Sequence, residues 1–386
     1  MRLGLYFHTL RYLKIKQIWF QILYRLYKPQ PKVTCFTSSL NHREGVFHDF
    51  IEKDISLIGA RQFRFYGEVG DIGDPCWDDI EKDKLWLYNM HYFDDLNARD
   101  AYKRRGWHKS LLADWLTNNR SGKSLGWDPY PLSLRIVNWI KWDLSGGELS
   151  ASCQKSLFTQ ALTLEKKIEY HILGNHLFAN AKALVFIGCY FEGADSARLL
   201  NKGLQIITKE LDIQVLNDGG NFELSPMYHC IFLEDVLDLV NILRAYRPKI
   251  GKSAMKSLEA VVPRMLAWLK HMSFEDGGIA CFNDAGTNIA SAPAHIVKYA
   301  ERLGFHGNES PVVAGVSYEH LSDSGYISVT RDDLKMVLDV ARLGPDYLLA
   351  HAHADTLTFE LSIAAQRIVV NSGTSCYGAS ARRDFE

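Results

Sequence analysis

The sequence predicts a mainly α chain that ends in antiparallel β-structure. Three observations carry this. Apolar residues recur at threes and fours through most of residues 157–272, the period of a helix with one buried face. The helical stretches are joined by short polar or glycine-containing turns, the pattern of an αα array. Beyond residue 310 the period changes to two, as in strands. Helices followed by strands indicate separate α and β domains, with a boundary at residues 310/311. No exact repeat is present, so a regular solenoid is not expected.

Composition narrows the classes. The chain has 386 residues, 47% of them hydrophobic, which is more than one small core requires. Its 44 basic and 45 acidic residues leave no strong basic field, which argues against nucleic acid as a partner. Seven cysteines are scattered without a C-x-x-C pair, against a zinc ribbon or a disulfide scaffold; Cys189 and Cys230 sit in apolar stretches and read as buried thiols. Nine Trp and eighteen Tyr fit either a well-filled core or sugar-stacking surfaces.

Taken in order, residues 1–27 mix aromatics with Arg2, Arg11, Lys14, Lys16 and Arg25 and read as an amphipathic helical arm, with no legible signal peptide. No stretch approaches the roughly 20 apolar residues of a membrane span. Two aromatic segments follow. One carries Trp86, Tyr88, His91 and Phe93, the other Trp127, Tyr130, Arg135 and Trp139. Both combine rings with polar groups, as sugar subsites do, and ordinary loop-to-helix packing explains any single member equally well. Helical patterns run through residues 157–190 with a break at Gly174-Asn175-His176, then 203–216, 223–244 with a break at Pro226, and 256–272. Strands are expected at 326–330, 334–340, 356–363 and 367–370; in the third, Leu357, Phe359, Leu361 and Ile363 share one face. An antiparallel sandwich needs about seven strands, so the β domain, residues 311–386, is expected to be incomplete and its apolar strand face to lack an opposing layer.

Three clusters carry chemistry. In Gly174-Asn175-His176 the polar pair either caps the following helix through Asn175 or clamps a carboxylate with an amide and an imidazole. In the segment from Asp218 to His229, Ser225-Pro226 opens a helix. Tyr228 and His229 then fall in its first turn, where the dipole favours a phenolate; a buried, satisfied tyrosine is the plainer alternative. Asp218 and Glu223 also admit a paired-carboxylate glycosidase. His351, His353 and Asp355 alternate, so on a strand they project from one face as an acid–base or metal-ligand group. Asn371, at the end of the return strand, would lie beside them.

At this point the residues resemble a known family. Residues 174–192 (GNHLFANAKALVFIGCYFE) and 218–235 (DGGNFELSPMYHCIFLED) are similar to the toroid domain of heparinase II/III-type polysaccharide lyases. Residues 344–377 (GPDYLLAHAHADTLTFELSIAAQRIVVNSGTSCY) are similar to the opening of their C-terminal β-sandwich, and residues 127–142 to members associated with bacterial surface polysaccharides. The resemblance implies an (α/α) toroid followed by the start of an antiparallel β-sandwich, with the site between them. It implies β-elimination at a uronic acid of an acidic polysaccharide or oligosaccharide, without a required cofactor. Asn175 and His176 would neutralise the carboxylate, Tyr228 would protonate the leaving oxygen, and His351 would be the catalytic histidine of the sandwich edge. Trp127, Tyr130, Arg135, Tyr88, His91, His229 and Glu223 would contact substrate. His353 would ligate a structural zinc in members that hold one; Asn371 stands where such members carry Asp. The resemblance implies the cell envelope, whereas the absent export signal would leave the chain in the cytoplasm. A catalytically dead glycan-binding fragment and a toroid glycoside hydrolase using Asp218 or Glu223 are the alternatives.

Overall fold

The computed structural model describes residues 11–27, 29, 39–73, 77–78, 81–119, 122, 124–306 and 315–375. The arm is a helix, α1 (Ile15–Leu26), and a small antiparallel sheet follows: β1 (Leu57–Gly59), β2 (Gln62–Phe65) and β3 (Glu68–Asp71). The helical body comprises α2 (Lys84–Tyr92), α3 (Arg105–Asn118), α4 (Pro129–Leu144), α5 (Ala151–Glu165), α6 (Gly174–Tyr190), α7 (Ala194–Gln214), α8 (Pro226–Tyr246), α9 (Lys252–Met272) and α10 (Pro293–Arg302).

Helix α6 is the hub. From Leu177 to Tyr190 its side chains are buried on all sides, and it packs against α4, α7 and α8. An all-round apolar helix is stable only when enclosed in this way. Gly188 and Gly203 let α6 and α7 approach closely: a Cβ on Gly188 would lie 2.5 Å from the Leu200 side chain. The body also encloses charge. Lys141 and Lys182 both pair with Asp238, at 2.6 and 2.5 Å, and Lys182 pairs with Asp235 at 2.6 Å. Ammonium groups this deep are held only because carboxylates face them.

The β part is a five-stranded antiparallel meander in chain order: β4 (Val316–Leu321), β5 (Tyr326–Arg331), β6 (Leu334–Asp339), β7 (Phe359–Ile363) and β8 (Gln366–Val369). One sheet face packs on the helical body through a second core, in which Leu321, Tyr326 and Val337 meet Leu224, Trp268 and Phe282. In β7 the face turned inward is Glu360 and Ser362, whereas Phe359 and Ile363, with Leu357 just before the strand, are exposed. Glu360 is satisfied there: it accepts from Cys281 N–H at 2.6 Å and from Arg367 at 2.5 Å.

Two sequence expectations need correction. Residues 351–355 are not a strand; they lie in the loop between β6 and β7. Alternation therefore does not aim His351, His353 and Asp355. Asn175 does not cap α6 either: the capping position is Leu173, at φ +71°, and Asn175 lies inside the first turn. Cys189 and Cys230 are buried free thiols, as read, whereas Cys35, Cys76 and Cys376 fall outside the described residues.

Candidate active site

The break at Gly174 exists because the backbone turns sharply into α6. Leu173 and Gly174 both have positive φ, and a Cβ on Gly174 would lie 2.5 Å from Glu223 Oε1 and 2.8 Å from Leu348 Cδ2. Only glycine fits that approach. The turn delivers the Asn175 N–H to Glu223 Oε1 at 3.2 Å. No described side chain hydrogen-bonds the half-buried Asn175 amide.

Helix α8 starts as Ser225-Pro226 predicts, with the Ser225 hydroxyl accepting from Tyr228 N–H at 3.5 Å. The same hydroxyl donates to Asp284 O at 3.0 Å, tying the helix start to the loop after α9. Tyr228 is half-buried, and its ring lies 3.9 Å from the His351 ring, centroid to centroid.

His351 arrives from the β part and is held by carboxylates of the helical part. Its Nε2 is 3.1 Å from Glu223 Oε2 and its Nδ1 is 2.8 Å from Asp284 Oδ2. Asp284 is fixed in turn by the Thr374 hydroxyl, which donates at 2.6 Å, and by its own N–H, which donates to His351 O at 3.1 Å. Asn283, at φ +56°, holds the rest of the loop: its side-chain oxygen accepts from His353 N–H at 3.1 Å and its N–H donates to Asp355 at 2.7 Å. Glu223 is 4% exposed, and burial pushes its carboxyl above the ordinary value, while His351 and the Asn175 N–H draw it back down.

The structure thus brings Asn175, Tyr228, His351 and Glu223 together where the two parts meet. His176 lies beside them in the first turn of α6, with its Nδ1 3.1 Å from Glu169 and its ring tilted against Tyr130, 4.3 Å between centroids. Tyr130 lies on this side of the helical body, with its hydroxyl proton held tightly by burial and by Asp235 and Glu169. Tyr88 is half-buried and donates to Asp128 at 2.5 Å.

Other expected contacts belong to the core. Arg135 is fully buried; it donates to Gln160 at 2.9 Å, to His91 O at 3.2 Å and to Gly126 O at 2.7 Å, so no part of its guanidinium faces a cleft. Trp127 is 4% exposed and its indole donates to Asn119 O. His91 is enclosed by Trp115, Trp77 and Gly126. His229 is also enclosed, paired with Met265 O at 3.0 Å, and burial lowers its pKa to about 3. Glu223 itself lies beneath His351 as a buried partner instead of standing as a substrate contact. Arg135, His91 and His229 lie on inward faces of α4, α2 and α8, whereas Trp127 and Glu223 lie in the turns that precede α4 and α8. Asp284 and Glu169 went unnoticed in the sequence; the run Asn283-Asp284-Ala285-Gly286 was the available signal for the first.

Asp218 accepts from Ser324 N–H at 2.6 Å and from the Ser324 hydroxyl at 2.8 Å, clasping the sheet to the helical body. Among the described residues no three His, Cys, Asp or Glu gather as metal ligands. The Asn371 amide has both ends engaged, donating to Asp355 at 3.2 Å and accepting from Gly373 N–H at 3.0 Å. His353 and Asn371 by themselves do not fit a zinc site.

Residues 151–307 match the family model of the heparinase II/III N-terminus, and residues 315–386 match that of the heparinase II/III-like C-terminal domain. The chain belongs to the heparinase II/III family. It is 26% identical to a heparin-sulfate lyase of Bacteroides stercoris, over 81% of this chain and 52% of the relative. It is 23% identical to the FtsZ-localized protein C of Caulobacter vibrioides, over the same shares. The chain therefore spans about half the length of these curated relatives. Among solved structures it resembles heparinase III, with a TM-score of 0.64 at 16% identity over 82% of this chain and 54% of the other. It also resembles a mutant heparan sulfate lyase HepC from Pedobacter heparinus, at 0.52 and 21%, over 84% and 56%. The fold is accordingly that of this family, a toroid of helices followed by antiparallel β-sandwich structure.

Proposed function

We propose that this protein is a polysaccharide lyase that cleaves a uronate-containing acidic glycan by β-elimination. The observation that carries this reading is the junction of Asn175, Tyr228 and His351 around the buried Glu223. Elimination needs three things at one sugar ring. The C6 carboxylate must be neutralised, because a carbanion at C5 is too unstable beside a charged group. The C5 proton must be removed, and the O4 leaving group must receive one. The Asn175 amide, unengaged by described side chains at the start of α6, is a donor for the carboxylate, with His176 beside it; preorganised donors aimed at developing charge lower such barriers most. Tyr228 carries the transferred proton. A tyrosine ordinarily ionises near pH ~10, so it needs support, and the His351 ring against its face provides a polar neighbour held by Asp284, with the Glu223 carboxylate 3.1 Å from its Nε2. Tyr130, beside His176, and Tyr88 offer ring surface for neighbouring sugars. No cofactor enters this scheme.

The hydrolase alternative draws no support from Asp218, whose carboxylate is taken up by Ser324 and Gly220. The test is Tyr228→Phe in the 386-residue chain, assayed by the ultraviolet absorbance of the unsaturated product. Loss of a positioned acid–base group lowers the rate by about 10²–10⁴-fold, with glycan binding retained because the ring remains. Unchanged turnover removes Tyr228 from the mechanism; a new reducing end without absorbance makes the protein a hydrolase.

A further inference from the structure

Helix α1 is amphipathic in reverse. Its inward face is polar and aromatic: Gln17 is 4% exposed and donates to Tyr347 O at 3.3 Å, Phe20 packs on Tyr170 at 4.7 Å, and Tyr24 stacks on His171 at 4.4 Å. The opposite face carries Ile15, Trp19, Ile22 and Leu26, spaced four, three and four residues apart, a single helical stripe. These side chains are 86%, 58%, 48% and 79% exposed. A contiguous outward stripe of this kind marks an interaction surface. The surrounding charge says with what. The first acidic residue in the chain is Glu44, whereas Arg11, Lys14, Lys16, Arg25 and Lys28 all precede it, in a chain whose overall net charge is −1.

We propose that α1 docks the protein on an anionic lipid bilayer surface. Its Ile15–Trp19–Ile22–Leu26 stripe enters the headgroup boundary and Arg11 and Arg25 meet the lipid phosphates, while the Lys14 and Lys16 ammonium groups lie over the Tyr347 and Tyr170 rings of the inner face. An indole and branched aliphatics flanked by Lys and Arg are the composition of a helix that lies in the interface plane. An acidic glycan would account for the cations but would leave the apolar stripe in water. At 12 residues the helix is about 18 Å long, too short to span a bilayer. The inner face fixes the docked orientation. Tyr170 and His171 adjoin Glu169, the partner of His176, and Tyr347 lies on the loop that carries His351. Docking through α1 therefore sets the candidate cleft beside the membrane surface. This inference stands apart from the lyase reading, since it uses no residue of the cleft.

The test is co-flotation of the full 386-residue chain with vesicles of phosphatidylcholine alone and of phosphatidylcholine with phosphatidylglycerol. The expected result is preferential binding to the phosphatidylglycerol vesicles, weakening with salt. The Trp19→Glu/Ile22→Glu variant should bind at least about tenfold more weakly, because burial of each such side chain is lost. Arg25→Glu, which leaves the apolar stripe intact, should lower only the phosphatidylglycerol-dependent part; it decides the matter if the double variant fails a circular-dichroism check. Equal binding to both vesicles, no binding to either, or equal binding by wild type and Arg25→Glu would overturn the proposal. A dimer in sedimentation that Trp19→Glu/Ile22→Glu dissolves, without vesicle binding by the wild type, would assign the stripe to a second copy instead. Displacement from α1 by an acidic oligosaccharide alone would assign the cations to glycan.

Discussion

Substituting Gly174 by Ala perturbs the site at its narrowest point. Gly174 has φ +53°, and an alanine there adopts a left-handed conformation that costs about 1–2 kcal/mol. The new Cβ would also stand 2.5 Å from Glu223 Oε1 and 2.8 Å from Leu348 Cδ2. Glu223 is 4% exposed and tied to the Asn175 N–H and to His351, so it has little room to withdraw. Forcing an extra carbon into such packing costs about 1–3 kcal/mol. The two terms give a loss of about 2–5 kcal/mol. Gly67→Ala provides the control: its φ is +78°, yet a Cβ there meets nothing within 4 Å, so only the conformational term applies. Urea unfolding of both variants, read as shifts in the midpoint at constant slope, isolates the steric term. Gly174→Ala should also lower any elimination activity, because Glu223 and the loop carrying His351 must both move. If the two variants lose the same stability, Glu223 is not wedged against the α6 start, and the packing described for the cleft is wrong.

Other outcomes follow from the charge pattern. Asp238 is 1% exposed; burial alone would raise its pKa, but Lys141 and Lys182 outweigh this and hold it at about 2. A carboxyl depressed below its ordinary 3.8 adds stability above that pH and loses it as pH falls through about 2. Asp238→Asn should therefore cost about 3–5 kcal/mol near neutrality, and thermal unfolding across the acid range should show the gap to wild type narrowing; a constant gap would contradict the pairing. Asp339 behaves oppositely. Burial, with the neighbouring Asp355, pushes it up to about 6. Its contribution is fully favourable below about pH 4 and is lost as pH rises through about 6. Asp339→Asn, which keeps an acceptor for the Ala341 N–H, should match wild type in acid and exceed it by up to about 3 kcal/mol above neutrality. Equal melting temperatures at high pH would refute this.

The sequence by itself determined the long central helices, most of the C-terminal strands and the family. Helical period is a local property, and it placed α9, whose buried face recurs at threes and fours, while long apolar runs placed α6 and α8, which are buried nearly all round. The start of α8 was equally legible, since Ser-Pro caps and opens a helix wherever it stands. The motifs around Asn175, Tyr228 and His351 carried the resemblance. The tertiary structure alone decided which polar residues meet. Arg135 and His229 looked available because sequence records only that a side chain is polar; their burial depends on neighbours such as Gln160 and Met265, which the fold supplies from other helices. Asp284 joined His351 across 67 positions of chain, a pairing no local pattern encodes. Residues 351–355 alternate like a strand, yet Asn283 and Asp284 hold them as a loop, because those side-chain and backbone hydrogen bonds replace the ladder a strand would need. The outward stripe of α1 likewise emerged only once the fold showed that Gln17, and not Trp19, faces the protein.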